Sequence, residues 1–305
     1  MSPEIDRAAE WPDLPVSAWK ETYDTLHMWT QIVGKVRLKL TPYVNHWWEA
    51  ALHMTPRGLT TTPISWGARS FEIAFDFTDH ELGIETDDGR RRRMKLAPRS
   101  VADFYAELMS LLASLGIDPK IDTEPKEVED PIPFEQDHGH ASYDAAAVAK
   151  WFRLTRNADR ILKQFRSGFL GKCSPVHFFW GSFDLCVTRF SGRAAPPRPE
   201  ADHITRLAYS HEVSSCGFWP GSGNIDGPAF YAYAAPQPAG LETARVRPAE
   251  AFYNPPTQGF ILRCEDVSRA PDPDAAVLDF CQSVYDATAD LGRWDRAALE
   301  RRRAG

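Results

Sequence analysis

Only five of the 305 residues are cysteine, and Cys173, Cys186, Cys216, Cys264 and Cys281 are odd in number and never spaced as CxxC. That excludes a disulfide framework and a structural zinc site of the usual kind. Long apolar runs are missing too: none approaches the roughly 20 residues that a membrane-spanning helix needs. The opening "MSPEIDRAAEWPDLP" is acidic and carries proline, without the charged-then-apolar pattern of a secretory signal. Nor is there a basic excess. The 35 Lys and Arg against 42 Asp and Glu leave a formal charge of −7, which argues against nucleic-acid binding. A cytoplasmic protein, with neither nucleic acid nor membrane as partner, fits these absences.

Familiar catalytic signatures are also missing. There is no GxGxxG after a strand, no GxxxxGK[ST], no HExxH and no GxSxG. "GSGNIDG" at 221–227 has the glycines of a phosphate loop, but it follows a proline and leads into a strand. It lacks the helix N-terminus that such loops use.

What is present is an ordinary globular composition, 43% hydrophobic and 25% charged, with ten Trp and 17 Phe, enough for a sizeable core. In "LPVSAWKETYDTLHMWTQIVGK", Trp19, Tyr23, Leu26, Trp29 and Val33 recur at helical spacing, with Gly34 as the expected stop. Strand-like segments follow: "VRLKL", "HWWEAALHM", "GLTTTPI", "SFEIAFDFT" and "HELGIET". Phe71, Ile73, Phe75 and Phe77 alternate with polar residues, as in a half-buried antiparallel strand. Asp88-Gly89 predicts a hairpin turn, and the Arg90–Arg93 run reads as its solvated edge. "SVADFYAELMSLLASLGI" is an amphipathic helix with Ser100 as its cap.

The composition changes between residues 119 and 141, which are acidic, proline-rich and aperiodic, a linker signature. A second helix, "YDAAAVAKWFRLTRNADRILKQFRSGF", then leads to the strands "SPVHFFWGSFDLCVTRF", "YSHEVSSCGFWP", "AFYAYAA" and "QGFILRCED", and "PDAAVLDFCQSVYDATADLG" closes as a helix. The expected fold is α+β: antiparallel meander sheets with flanking helices, in two similar halves, 1–118 and 142–305, docked across the linker. Gly-Lys after each first helix and a Trp-bearing strand soon afterwards are consistent with an old internal duplication.

The blocks "HASYDAAAV", "GKCSPVHFFWGSFDLCVTRFSGR" and "SHEVSSCGFWPG…AFYAYAAPQP" are long and rich in Trp, Phe and His. Through them the chain resembles, over nearly its whole length, a bacterial domain-of-unknown-function family, number 5996. Cys173 and Cys186 depart from the small or apolar residues expected there. The resemblance implies one compact protein and brings no activity, cofactor or catalytic residue.

The polar residues of the second half carry the chemistry available. A regular strand through "HFFWGSFDLCVTRF" would place His177, Phe179, Phe183 and Leu185 on one face and Trp180, Asp184 and Thr188 on the other, with Gly181 able to bulge or turn it. Asp184 and Arg189 stand among apolar residues, so each needs a partner, whether the other or another charged group, or a water-filled cleft. His211 and Glu212 are adjacent on a strand and point to opposite faces, so at most one of them faces a pocket. Cys216 reads as a small buried residue. Tyr231 and Tyr233 share a face and either line a cavity or pack as a ladder.

His138 and His140, beside Asp137, form a loop pair. His140, His177 and His211 with Asp184 or Glu212 have the residue types of an iron, zinc or manganese site, but no known spacing. The catalytic candidates are therefore His177, Asp184, His211 and Glu212. The ligand-binding candidates are His140, Trp180, Arg189, Tyr231 and Tyr233, and a divalent metal is the one cofactor these residue types could suit. Three readings stay open: a small-molecule enzyme, a non-catalytic ligand-binding module, and a structural or interaction protein with these residues in buried ion pairs.

Overall fold

The helical spacing of Trp19 to Val33 continues further than Gly34 suggests. In the computed structural model, which describes residues 10–301, helix α1 spans Lys20–Leu40 and takes in the expected strand "VRLKL". Gly34 lies inside it because the indole of Trp180 rests on that bare Cα, and a Cβ there would come within 2.2 Å of the ring. α1 is buried on nearly every side, so it shows little amphipathic pattern over its second half. Trp29, on α1, stacks on Phe104 at 4.7 Å and on Tyr143 at 5.4 Å.

The first sheet is antiparallel. It contains β1 (His53–Met54), β2 (Gly58–Thr60), β3 (Ile64–Trp66), β4 (Arg69–Asp76), β5 (Glu81–Thr86) and β6 (Arg91–Lys95), ordered β1-β2-β4-β5-β6 with β3 also on β4. Phe71, Ile73 and Phe75 face the core, as their alternation requires. The expected strand "HWWEAALHM" is instead a 3-10 turn, Asn45–Ala50, followed by the two residues of β1. Helix α2 (Val101–Ser114) starts at Ser100, whose hydroxyl accepts the Asp103 N–H at 3.0 Å.

The acidic segment is no free tether. It straps across α1: Gln31 exchanges hydrogen bonds with the backbone of Lys126, and Lys35 holds Asp122 and the Glu124 carbonyl. Phe134 is fully buried. Helix α3 (Ala145–Ser167), capped by Asp144, leads into the second antiparallel sheet and ends at Gly168, ahead of the expected Gly171-Lys172.

That sheet comprises β7 (His177–Phe179), β8 (Asp184–Ala194), β9 (His211–Trp219), β10 (Ala229–Ala235), β11 (Phe252–Asn254) and β12 (Gly259–Arg263) in the order β11-β12-β10-β9-β8-β7. A short helix, α4 (His203–Ala208), interrupts the path from β8 to β9; α5 (Cys264–Arg269), α6 (Pro273–Leu291) and α7 (Arg296–Leu299) complete the chain.

α3 and α6 cover one face of the second sheet, where Leu185, Val187, Cys216 and Phe230 are buried. One continuous apolar core runs from α1 and the first sheet to this face. The sheets also join at their backbones, since Leu52 and Phe178 exchange N–H···O bonds of 2.8 and 2.9 Å. Among the described residues no helix is long and apolar enough to cross a membrane.

Candidate functional site

From His177 to Phe190 the chain forms not the regular strand but the turn into a second strand that Gly181 allowed, a hairpin. Phe179 pairs with Asp184 and His177 with Cys186, so residues 180–183 form the turn. Phe183 takes φ = +54°, an unfavourable backbone for a bulky side chain, held because its ring is buried and stacks on Trp151 at 4.9 Å. The turn changes the phase of alternation. His177, Phe179, Asp184, Cys186 and Thr188 therefore share one face, opposite the helices.

α1 fixes this turn from behind. His27 Nε2–H donates to the carbonyls of Trp180 (3.0 Å) and Gly181 (2.8 Å), and Trp180 Nε1–H donates to the Ala50 carbonyl at 2.7 Å.

The face carrying Asp184 is not filled. It forms the floor of a cleft of about 1120 Å³ walled by the 41–50 segment, the C-terminal part of α1, the strap at 120–127 and α4. Tyr231 and Tyr233 stack at 6.0 Å on this floor. Gly217 makes that possible: a Cβ there would lie 2.2 Å from the Tyr231 ring. Tyr231 O–H consequently reaches Asp184 Oδ2, while Ser182 O–H donates to Oδ1 at 2.5 Å. Tyr233 and Tyr209 hydroxyls meet at 2.9 Å, and those of Thr188 and Ser215 at 3.0 Å.

Asp184 is 8% exposed, and no cation pairs with it among the described residues. Burial raises its carboxyl above the ordinary range, and the two hydroxyls offset only part of that. His177 is 2% exposed, its Nδ1 has no hydrogen-bond partner among the described residues, and its ring meets the rings of Trp48, His53 and Phe179. Burial, reinforced by His53 and Arg37, pushes it down to about 3, so the imidazole is neutral at physiological pH.

Five sequence candidates thus line one cleft: His177, Trp180, Asp184, Tyr231 and Tyr233. The other four are elsewhere. Arg189 differs from Asp184 by an odd number of residues, so it faces the helices, which rules out the ion pair between them. Its guanidinium lies 3.5 Å from the Phe165 ring and 4.4 Å from that of Tyr285, and it donates to the Phe165 carbonyl at the end of α3.

Glu212 also projects to that side and binds Arg193 at 2.6 Å. His211 stands outside the lining, its ring perpendicular to that of His46 at 5.7 Å. His140 is tied to Asp137 at 2.7 Å in the loop that leads to α3, where its carbonyl accepts the Val101 N–H at the start of α2. His140, His177 and His211 do not converge, and among the described residues no three His, Cys, Asp or Glu side chains come together as a metal site.

Several lining residues went unmarked in the sequence. His46 is the chief one: Nδ1–H donates to the carbonyls of Leu207 and Ala208, leaving the Nε2 lone pair for Lys172 Nζ–H at 2.5 Å. Both His46 and Trp47 have positive φ, which no strand pattern in "HWWEAALHM" announces. Glu127 is another; its carboxylate lies over Gly181, where a Cβ would be 2.5 Å from Oε1.

Fold and site define an α+β protein of two antiparallel six-stranded sheets with a polar-floored, aromatic-walled cleft against the second. Residues 11–301 match the model of a family of unknown function, DUF5996, and the chain belongs to that family. No curated protein and no solved structure matches it.

Proposed function

We propose that the chain binds a small organic molecule in this cleft, with its apolar body against the aromatic walls and its polar part on Asp184, Tyr231 and His177. The observation that carries this is the pairing of open space with unsatisfied chemistry. A buried polar atom without a partner costs about 1–3 kcal/mol, and a purely structural role would supply one. Here, among the described residues, Asp184 lacks a counter-ion and His177 Nδ1 lacks a hydrogen-bond partner, beside a cavity of a size that suits a ligand.

A catalytic reading has its own support. Burial raises the Asp184 carboxyl and lowers the His177 imidazole within one cleft, and groups driven apart in this way are suited to proton transfer.

Titration with Nile red, a neutral dye whose emission reports an apolar site, tests the binding. Saturable one-to-one binding is expected, and Thr188→Trp, which places an indole on the cleft floor, should abolish it while leaving the circular dichroism unchanged. No saturable binding to the native chain, or equal binding to the folded variant, would count against the reading. Catalysis is tested on whichever ligand binds: Asp184→Asn should stop its conversion, followed by NMR, even at ligand concentrations that saturate the variant.

A further inference from the structure

We infer that the molecule held in this cleft carries a positively charged nitrogen, as in an aromatic amine, which docks between Asp184 and Glu127 at the 180–183 turn. The inference rests on the cleft being a binding site. Its starting point is a local imbalance of charge. The lysines on the rim near the strap are engaged: Lys35 and Lys126 hold Asp122, Lys126 also holds Glu124, and Lys120 holds Asp118.

Four carboxylates of the cleft form no ion pair among the described residues, and one of them, Glu49, is held by the Val44 N–H in the 41–50 segment. Asp184 receives the hydroxyls of Ser182 and Tyr231, Asp202 receives the Thr205 N–H and O–H at the start of α4, and Glu127 lies over Gly181. They feel one another: burial first, then the charges of Asp184 and Asp202, raise the Glu127 carboxyl.

A carboxylate at the floor of an aromatic-walled cavity is the arrangement that attracts an organic cation, by direct charge pairing and through the ring faces. The stacked Tyr231 and Tyr233 supply such faces next to Asp184. A bare metal ion is served less well, because these carboxylates do not converge as a chelating group. Of the other basic groups, Lys39 lines the cleft at the C-terminal end of α1 with no ion pair among the described residues, and His46 with Lys172 belongs to the wall formed by Trp48 and Phe190, whose rings lie 5.4 and 4.8 Å from Lys172 Nζ. An anionic group on the same ligand would find its partner there, away from the turn.

The experiment compares three near-isosteric indoles of different charge, tryptamine, tryptophol and indole-3-acetate, by ligand-observed NMR competition on the whole chain at pH 7. Affinity should fall in that order, with roughly tenfold or more between the cation and the anion. Asp184→Asn should bring tryptamine down to the level of tryptophol and leave tryptophol unchanged. Glu127→Gln, at the rim and outside the core, should weaken tryptamine several-fold and covers the case in which Asp184→Asn does not fold. Equal or reversed affinities, or tryptamine binding unaffected in both variants, would overturn the charge assignment while the cleft stands. If none of the three indoles binds, the binding reading falls with it.

Discussion

Replacing His177 by Phe should remove a large part of the protein's acid sensitivity. In the folded chain burial holds this imidazole down to about 3, whereas in the unfolded chain it returns to about 6.5. The sign follows: because the folded value is depressed, the unfolded state binds the extra proton, and the stability is fully present above about pH 6.5 and lost as pH falls toward about 3. Between pH 7 and pH 5 that linkage amounts to about 2 kcal/mol from His177 alone. His53, held at about 4 by burial and Arg37, adds a smaller loss because it is partly open to solvent.

Phe matches the ring of His177 and meets the same neighbours, Trp48, His53 and Phe179, without bringing an unpaired nitrogen. The variant should be at least as stable as the native chain at pH 7. It should also lose about 2 kcal/mol less on going to pH 5, as read from urea unfolding at the two pH values. Changes in carboxylate ionisation are common to both proteins and cancel in the comparison. Equal losses for the two proteins would refute the account of His177 as a neutral, unpaired group in the cleft.

Two other substitutions probe the supports of the site. Gly34→Val should destabilise the fold by about 1–3 kcal/mol in urea unfolding, since the new side chain overlaps the Trp180 indole and presses α1 off the turn; an unchanged midpoint would show that Trp180 does not rest there. Arg189→Ala should cost about 3 kcal/mol by emptying the space between Phe165 and Tyr285 and removing the donor to the Phe165 carbonyl. Arg189→Lys should recover little of it, because an ammonium lacks the plane that stacks between rings.

The layers of this fold were legible where one residue period held over a whole element. Phe71, Ile73 and Phe75 announced β4, Tyr231 and Tyr233 shared a face as their spacing required, and Ser100 and the hydrophobic spacing after it marked α2. Local pattern failed where tertiary contacts decide. Gly34 looks like a helix stop until Trp180 is known to need its bare Cα, a contact across 146 positions of sequence. The turn at 180–183 reverses the phase of the faces, which is why Asp184 joins His177 and Arg189 leaves it.

The candidate site was half visible for the same reason. Buried charge in apolar strands pointed to Asp184, His177, Tyr231 and Tyr233. The walls brought in by the first half and the strap, His46, Trp48 and Glu127, lie in segments whose period says nothing about a cleft. His211 and Glu212 were adjacent in sequence and separated by the sheet, one against His46 and the other on Arg193.

The central claim is that the face of the second sheet bearing Asp184 is built to be occupied. Crystals of the whole chain soaked with small aromatic compounds of each charge test it most directly. Electron density should gather in the cleft above Tyr231 and Asp184, with aromatic rings along the walls and, for the amines, nitrogen toward the 180–183 turn. A cleft closed by the side chains of α4 and the 41–50 segment, or compounds bound only elsewhere, would contradict it.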